Sequence, residues 1–167
     1  MKVTSAEANK MLRKLQEDHR ALEAQEEAGR TFVAATTENL EDARPEYNYA
    51  ETQKKLAEIE RKTRVIKHAI NVFNVTQTLG EGGMTIDQAL VCIPQLSERK
   101  RKLSFMRTLP KKKRNEGAKG SNLIEYTYLN YELEQAEKDC EAAGDELARL
   151  QNALDLVNST VYFEIDL

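Results

Sequence analysis

Tryptophan is absent, aromatic residues make up 6% of the 167 positions, and the chain has only three prolines and seven glycines. A sheet protein needs many turns and many residues that fill a pleated surface, so this balance argues for long, solvent-exposed helices. Two cysteines are too few for a disulfide framework. Cys92 and Cys140 both fall among apolar residues of expected helices, where reduced core thiols fit best. The two histidines, His19 and His68, have no second His or Cys at ligand spacing, so no metal site is expected. No window approaches eighteen uncharged apolar residues, which excludes a helical membrane span. Residues 1–17 lack the apolar core of an export signal, and a cytoplasmic location is expected.

A catalytic constellation is also missing. The acids are spread over helix surfaces, and the serines have no nearby histidine with an orienting carboxylate. Cys140 sits at an apolar position where a thiolate would be costly. The chain is expected to be non-enzymatic, with no cofactor.

What is present is helical periodicity. Leu133, Ala136, Cys140, Ala143, Leu147, Leu150, Leu154 and Val157 follow one another at alternating spacings of three and four, a heptad seam over about three and a half repeats. Its first half is small and its second half is large, so neighbouring helices are expected to converge near Ala143 and to splay toward Leu154. Thr4 with Glu7 forms a capping box for a first helix over residues 5–28, with Ala8, Leu12, Leu15, His19 and Leu22 on its apolar stripe and Gly29 ending it through a positive φ. Asn48 with Glu51 caps a second helix of about 25 residues, about 37 Å long, along Thr52, Leu56, Ile59, Thr63, Ile66, Ile70 and Phe73. Asn71 and Asn74 near its end, like Asn158 near the end of the last helix, are candidate structural polar positions, able to close helix carbonyls.

The LGEGG turn at residues 79–83 lacks the GxGxxG and GxxxxGK[ST] patterns, so it reads as a reversal between helices rather than a phosphate loop. Thr85 and Gln88 cap a third helix whose Ala89, Leu90, Ile93, Leu96, Leu103 and Met106 face the interior. Pro94 is expected to kink or divide it near residues 91–93. Three stretches read as strands: residues 31–37, 122–130 and 160–167. In the second, Ile124, Tyr126 and Tyr128 share one face. In the third, Val161, Phe163, Ile165 and Leu167 form a buried side that reaches the last residue. Together these give a mainly α fold in a single domain, 1–167: long antiparallel helices in a coiled-coil-like bundle, with a small three-stranded β-sheet at one end.

Charge is distributed unevenly. Residues 99–119 hold ten Lys and Arg against one acid, Glu116, so this segment carries +9 and the remainder −12 of a net −3. Arg99, Lys100, Arg101, Lys102, Lys111, Lys112, Lys113 and Arg114 are the candidate anion or nucleic-acid binding residues, the last four in a flexible basic loop, 110–121. No aromatic residue lies within residues 111–121, so that loop offers no platform of its own for stacking bases.

The run Ile70-Asn71-Val72-Phe73-Asn74 with Thr76, the later Met84-Thr85-Ile86-Asp87-Gln88-Ala89-Leu90, and Val157-Asn158-Ser159-Thr160 before an apolar-acidic end resemble the septicolysin-like family of small uncharacterised bacterial proteins. The resemblance covers most of the chain from about Tyr49. It implies a fold rich in helical hairpins with a small sheet, and its name implies a membrane-active cytolysin. Three functional expectations therefore stand side by side: a self-associating scaffold or interaction protein that forms a homo-oligomer, a binder of nucleic acid or an acidic partner through residues 99–119, and a cytolysin.

Overall fold

A computed structural model describes residues 1–80, 83–115 and 124–167. The elements in chain order are β1 (Lys2–Thr4), α1 (Ser5–Gly29), α2 (Leu40–Ala43), α3 (Tyr49–Thr76), α4 (Ile86–Met106), β2 (Lys112–Arg114), β3 (Tyr126–Tyr128), α5 (Leu133–Thr160) and β4 (Tyr162–Glu164). Among the described residues the fold is mainly helical, with two small antiparallel strand pairs. The chain divides into two compact units, Met1–Thr76 with Val157–Leu167, and Gln77–Leu156.

The first unit is an antiparallel helical hairpin closed by a strand pair. Thr4 ends β1 and caps α1 in the same step: its hydroxyl accepts from the Glu7 amide at 3.2 Å, and its own amide donates to the Glu7 carboxylate at 2.8 Å. The expected capping box is therefore present. Asn48 accepts from the Glu51 amide at 3.1 Å at the start of α3, also as expected. The stripe positions of α1 pack against those of α3 in opposite order. Glu26, late in α1, accepts hydrogen bonds from Tyr47 (2.9 Å) and Gln53 (2.6 Å), whereas Ala8, early in α1, is buried in one cluster with Ile66. Val3 and Ile165 complete that cluster, and Met11, Leu12, Leu15, Ala69 and Ile70 surround it. β1 and β4 are antiparallel with Val3 opposite Phe163, and the Phe163 ring stacks on Phe73 of α3 at 4.6 Å between centroids. Exposed flanks are laced by i,i+3 and i,i+4 ion pairs. In one of them the Arg61 guanidinium holds the Glu58 carboxyl down to about 2.

The second unit is built on α4 and α5. A reversal precedes α4: Thr78 bridges Thr85, the Leu79 amide donates to the Met84 carbonyl at 2.9 Å, and Gly80 takes φ +78°, which a side chain would disfavour. Thr85 and Gln88 then form the expected capping box. The helices run antiparallel, with the Tyr131 hydroxyl donating to the Met106 carbonyl at 2.6 Å and the Cys140 thiol to the Lys100 carbonyl at 3.8 Å. A backbone carbonyl of α4 can come this near Cys140 because Ala136, Cys140 and Ala143 are small, and all three are buried. Every position of the seam from Leu133 to Val157 is buried or half-buried.

Several sequence expectations are corrected. Residues 31–37 form no strand, and Val33 there is 96% exposed. β-branched composition makes a strand only where an edge accepts it, and the edge of β4 is taken by Lys2–Thr4 instead. The strands form two separate pairs, not one three-stranded sheet, because the central expected strand is shorter, Tyr126–Tyr128, and pairs with β2. Residues 112–114 of the expected basic loop are that strand β2, while residues 116–121 of the loop and 122–123 of the strand lie outside the described residues. The last strand begins later than expected, since α5 continues to Thr160, and Leu167 at its end is exposed. Gly29 does not take positive φ. It ends α1 without a left-handed turn, and a Cβ there would stand 2.7 Å from Cβ of Tyr47, so the glycine serves close approach rather than handedness. α4 passes through Pro94 as one helix. Leu90 and Pro94 both face solvent, where the Leu90 carbonyl that loses its amide partner can be hydrated. That same rotation leaves Leu90 exposed rather than interior. Finally, the carbonyls at the end of α3 are closed by the Thr76 hydroxyl, bonded to Val72 and Phe73 at 2.8 and 3.3 Å, and not by the exposed Asn71 or half-buried Asn74. Asn158 is half-buried near the end of α5.

Two substitutions test these close approaches. Gly29→Ala gains at most about 1 kcal/mol of helix propensity but overpacks Tyr47 at a cost of about 1–3 kcal/mol, so the melting temperature should fall, and a rise would refute the packing role. Ala143→Leu should destabilise by about 1–3 kcal/mol in denaturant titrations. A neutral result there would mean the α4–α5 approach is looser than described.

Candidate nucleic-acid interface

The segment that follows α4 is built to leave the helix and become a strand. The amides of Thr108 and Leu109 bond back to Phe105 and Met106, tightening the last turn, and Pro110 then cannot donate. β2 starts two residues later. Its pairing with β3 is antiparallel, with Lys112 opposite Tyr128, Lys113 opposite Thr127 and Arg114 opposite Tyr126. The ladder extends one step at each end, through Leu129 N–H to the Lys111 carbonyl (3.2 Å) and Asn115 N–H to the Glu125 carbonyl (2.9 Å).

Side chains alternate across a strand, so this register sorts the ribbon into two faces. One carries Lys112, Arg114, Tyr126 and Tyr128. The other carries Lys113 and Thr127, the latter's hydroxyl donating to the Asn115 side-chain oxygen at 2.7 Å. On the first face the Lys112 ammonium lies 3.9 Å from the centre of the Tyr126 ring and 5.4 Å from that of Tyr128. Such cation–π contacts, with the cross-strand pairing, hold a short ribbon that would be marginal by itself. The two rings are 6.2 Å apart with planes at 50°, and they remain 40% and 61% exposed. Lys111, Lys112, Lys113 and Arg114 are all exposed, and none forms an ion pair among the described residues.

The other half of the expected basic surface is arranged differently. Arg99, Lys100, Arg101 and Lys102 are consecutive on a continuous helix, so each points about 100° from the last and they cannot form one patch. Arg101 is held by Glu98 in two hydrogen bonds of 2.9 and 2.6 Å, which lower the Glu98 carboxyl and raise the guanidinium. The Lys100 side chain lies along the open position left by Gly144. With Ser104 and Arg107 it borders a groove of about 410 Å³ that also contains Glu141 and Asp145, so its charge is locally offset. Of the eight candidate residues, the structure thus gathers Lys112 and Arg114 with two aromatics and leaves the α4 group dispersed.

Tyr126 and Tyr128 are the residues beside the basic strand that were missed when the basic run was considered alone. The signal was available as a hairpin pattern: a basic run, a turn-rich stretch at residues 115–122 and an alternating Tyr-Thr-Tyr strand.

The remaining candidate positions carry less. His19 lies in a groove of about 510 Å³ between α1 and α3, its Nδ1 3.2 Å from Glu23 and its Nε2 3.8 Å from Glu60. Among the described residues no group of three His, Cys, Asp or Glu could hold a metal ion. At the N-terminus of α4 the Thr85 and Gln88 side chains satisfy the amides that a phosphate would use, and the Ile86 amide donates to Gln77. Among the described residues no helix is long and apolar enough to cross a membrane.

Comparison with protein-family models and with curated proteins finds no match. Among solved structures the chain is similar to a functionally unknown conserved protein from Corynebacterium diphtheriae, with a TM-score of 0.60 and 17% identity over 98% of this chain and 100% of that one, a likeness of fold alone.

Proposed function

We propose that the protein is a non-enzymatic nucleic-acid-binding protein whose contact element is the β2–β3 ribbon. The observation that carries this reading is the pairing of Lys112–Arg114 with Tyr126–Tyr128, which puts exposed cations and exposed aromatic rings on one face. Cations displace the counterions condensed on a phosphate backbone, and aromatic rings offer flat contact to bases. An acidic protein would use the first feature but has little use for the second. The α4–α5 pair then acts as the support of the unit from which the ribbon projects its side chains.

Fluorescence anisotropy with labelled oligonucleotides tests this. The native chain should bind at 50 mM salt and weaken steeply toward 200 mM. Replacing Lys111, Lys112, Lys113 and Arg114 together with Gln should reduce binding at least tenfold. It should also flatten the logarithmic salt slope by about 1.5, since Lys112 and Arg114 are the two cations on the contact face and each phosphate neutralised adds about 0.7–0.9 to that slope. Unchanged retention at low salt would end this reading.

Self-association is a second reading, supported by successive apolar residues exposed on α4, Leu90 and Val91, with Phe105 further along the same helix. Burying such residues against a second copy is worth about 25 cal/mol per Å². Light scattering over micromolar concentrations should then give a mass above one chain, falling to one chain when Leu90 and Val91 are replaced with Ser. A single-chain mass throughout would remove it.

A further inference from the structure

We infer that the ribbon's ligand is single-stranded, with two successive bases opened out and seated on Tyr126 and Tyr128. This rests on the reading of the ribbon as a nucleic-acid contact and specifies which form of nucleic acid it takes.

The spacing of the rings decides the matter. Tyr126 and Tyr128 stand at i and i+2 of one strand, on one face, 6.2 Å apart between centroids. Bases in a stacked strand follow one another at about 3.4 Å, so consecutive stacked bases cannot each meet a ring at nearly twice that separation. An extended strand with its bases splayed can, and this is how unpaired nucleic acid presents base faces to aromatic side chains. In a duplex those faces are covered by neighbouring base pairs. A two-stranded ribbon can enter a major groove, but there it meets base edges, which are read by hydrogen bonding rather than by stacking.

The cations fit the same geometry. The register puts Lys112 opposite Tyr128 and Arg114 opposite Tyr126, so each ring has a positive residue directly across the ribbon on its own face. A strand running along β3 with its bases on the rings has its phosphates beside β2. Lys112 lies 3.9 Å from the centre of the Tyr126 ring, and the two tyrosines still keep 40% and 61% of their surface exposed for a base. Stacking of this type reads no sequence, because every base has a π-face.

The test compares labelled dT12, U12 and a 12-base-pair duplex at 50 mM salt, using the full chain. The native protein should prefer both single strands over the duplex by at least tenfold. Tyr126→Val with Tyr128→Val keeps strand propensity and should weaken single-strand binding at least tenfold while leaving the salt slope in place. Tyr126→Phe with Tyr128→Phe should bind as the native chain does, since stacking requires the ring and not the hydroxyl. Duplex binding as tight as single-strand binding, or full single-strand affinity in the Val variant, would overturn the inference. In that event a loss of binding in the Lys/Arg→Gln variant would still uphold the broader reading. If the native chain binds none of the three probes, both fall together. Quenching of tyrosine fluorescence by dT12 in the native chain, absent in the Val variant, is expected as an independent readout, and unquenched native fluorescence at saturating dT12 would also count as refutation.

Discussion

A long helix with a single narrow apolar stripe can bury that stripe only against another helix of comparable length, and this constraint organises each unit. α1 carries charged or polar residues around most of its circumference, and its stripe from Ala8 to Leu22 meets α3 in an antiparallel hairpin. α5 meets α4 along the small half of its seam, where the Cys140 thiol reaches the Lys100 carbonyl. In the first unit the end is sealed by β1 and β4, whose Val3 and Ile165 enter the cluster of Ala8 and Ile66. Three residues of strand therefore matter out of proportion to their length, because they close the open end of the hairpin's core.

What was legible in the sequence follows from which interactions are local. Three helix starts are correct because a capping box or an Asn cap involves residues three apart, and Thr4, Asn48 and Thr85 all cap as expected. The seam of α5 is correct because burial of one face imposes a period that the chain records directly. Strand partners are not recorded locally. Residues 31–37 have better strand composition than Lys-Val-Thr at residues 2–4, yet the latter pairs with β4, because Thr4 leads into α1 without a loop and so starts beside the chain end that α5 delivers. Gly29 illustrates the same limit at one residue: its position at the helix end suggested a positive φ, while the actual requirement is set by Tyr47, eighteen residues away.

The candidate interface divides along the same line. The basic composition of residues 99–119 was evident, and so was the shared face of Tyr126 and Tyr128, but their juxtaposition is a pairing between strands distant in sequence. Conversely, the four consecutive cations of α4 look like a patch in one dimension and are dispersed by helical rotation, with Arg101 already engaged by Glu98. Secondary structure thus redistributes a charge run according to its period: a helix spreads adjacent cations around an axis, whereas a strand sorts alternate cations onto one face.

That sorting bears on the contact role proposed for so short a ribbon. A flexible loop bearing Lys111 to Arg114 would have to be ordered on binding, and each long side chain would lose rotamer freedom as it engaged a phosphate. In the ribbon the backbone is already fixed by the ladder from Lys111 to Asn115, and Lys112 is already placed by the two tyrosines it lies against. The aromatic residues therefore act twice. They hold a cation at a defined position on the face, and they leave ring surface open beside it. Removing the rings would delete the stacking surface and keep the charge of Lys112, so under the proposed role the salt dependence and the strand preference report on separable halves of one arrangement.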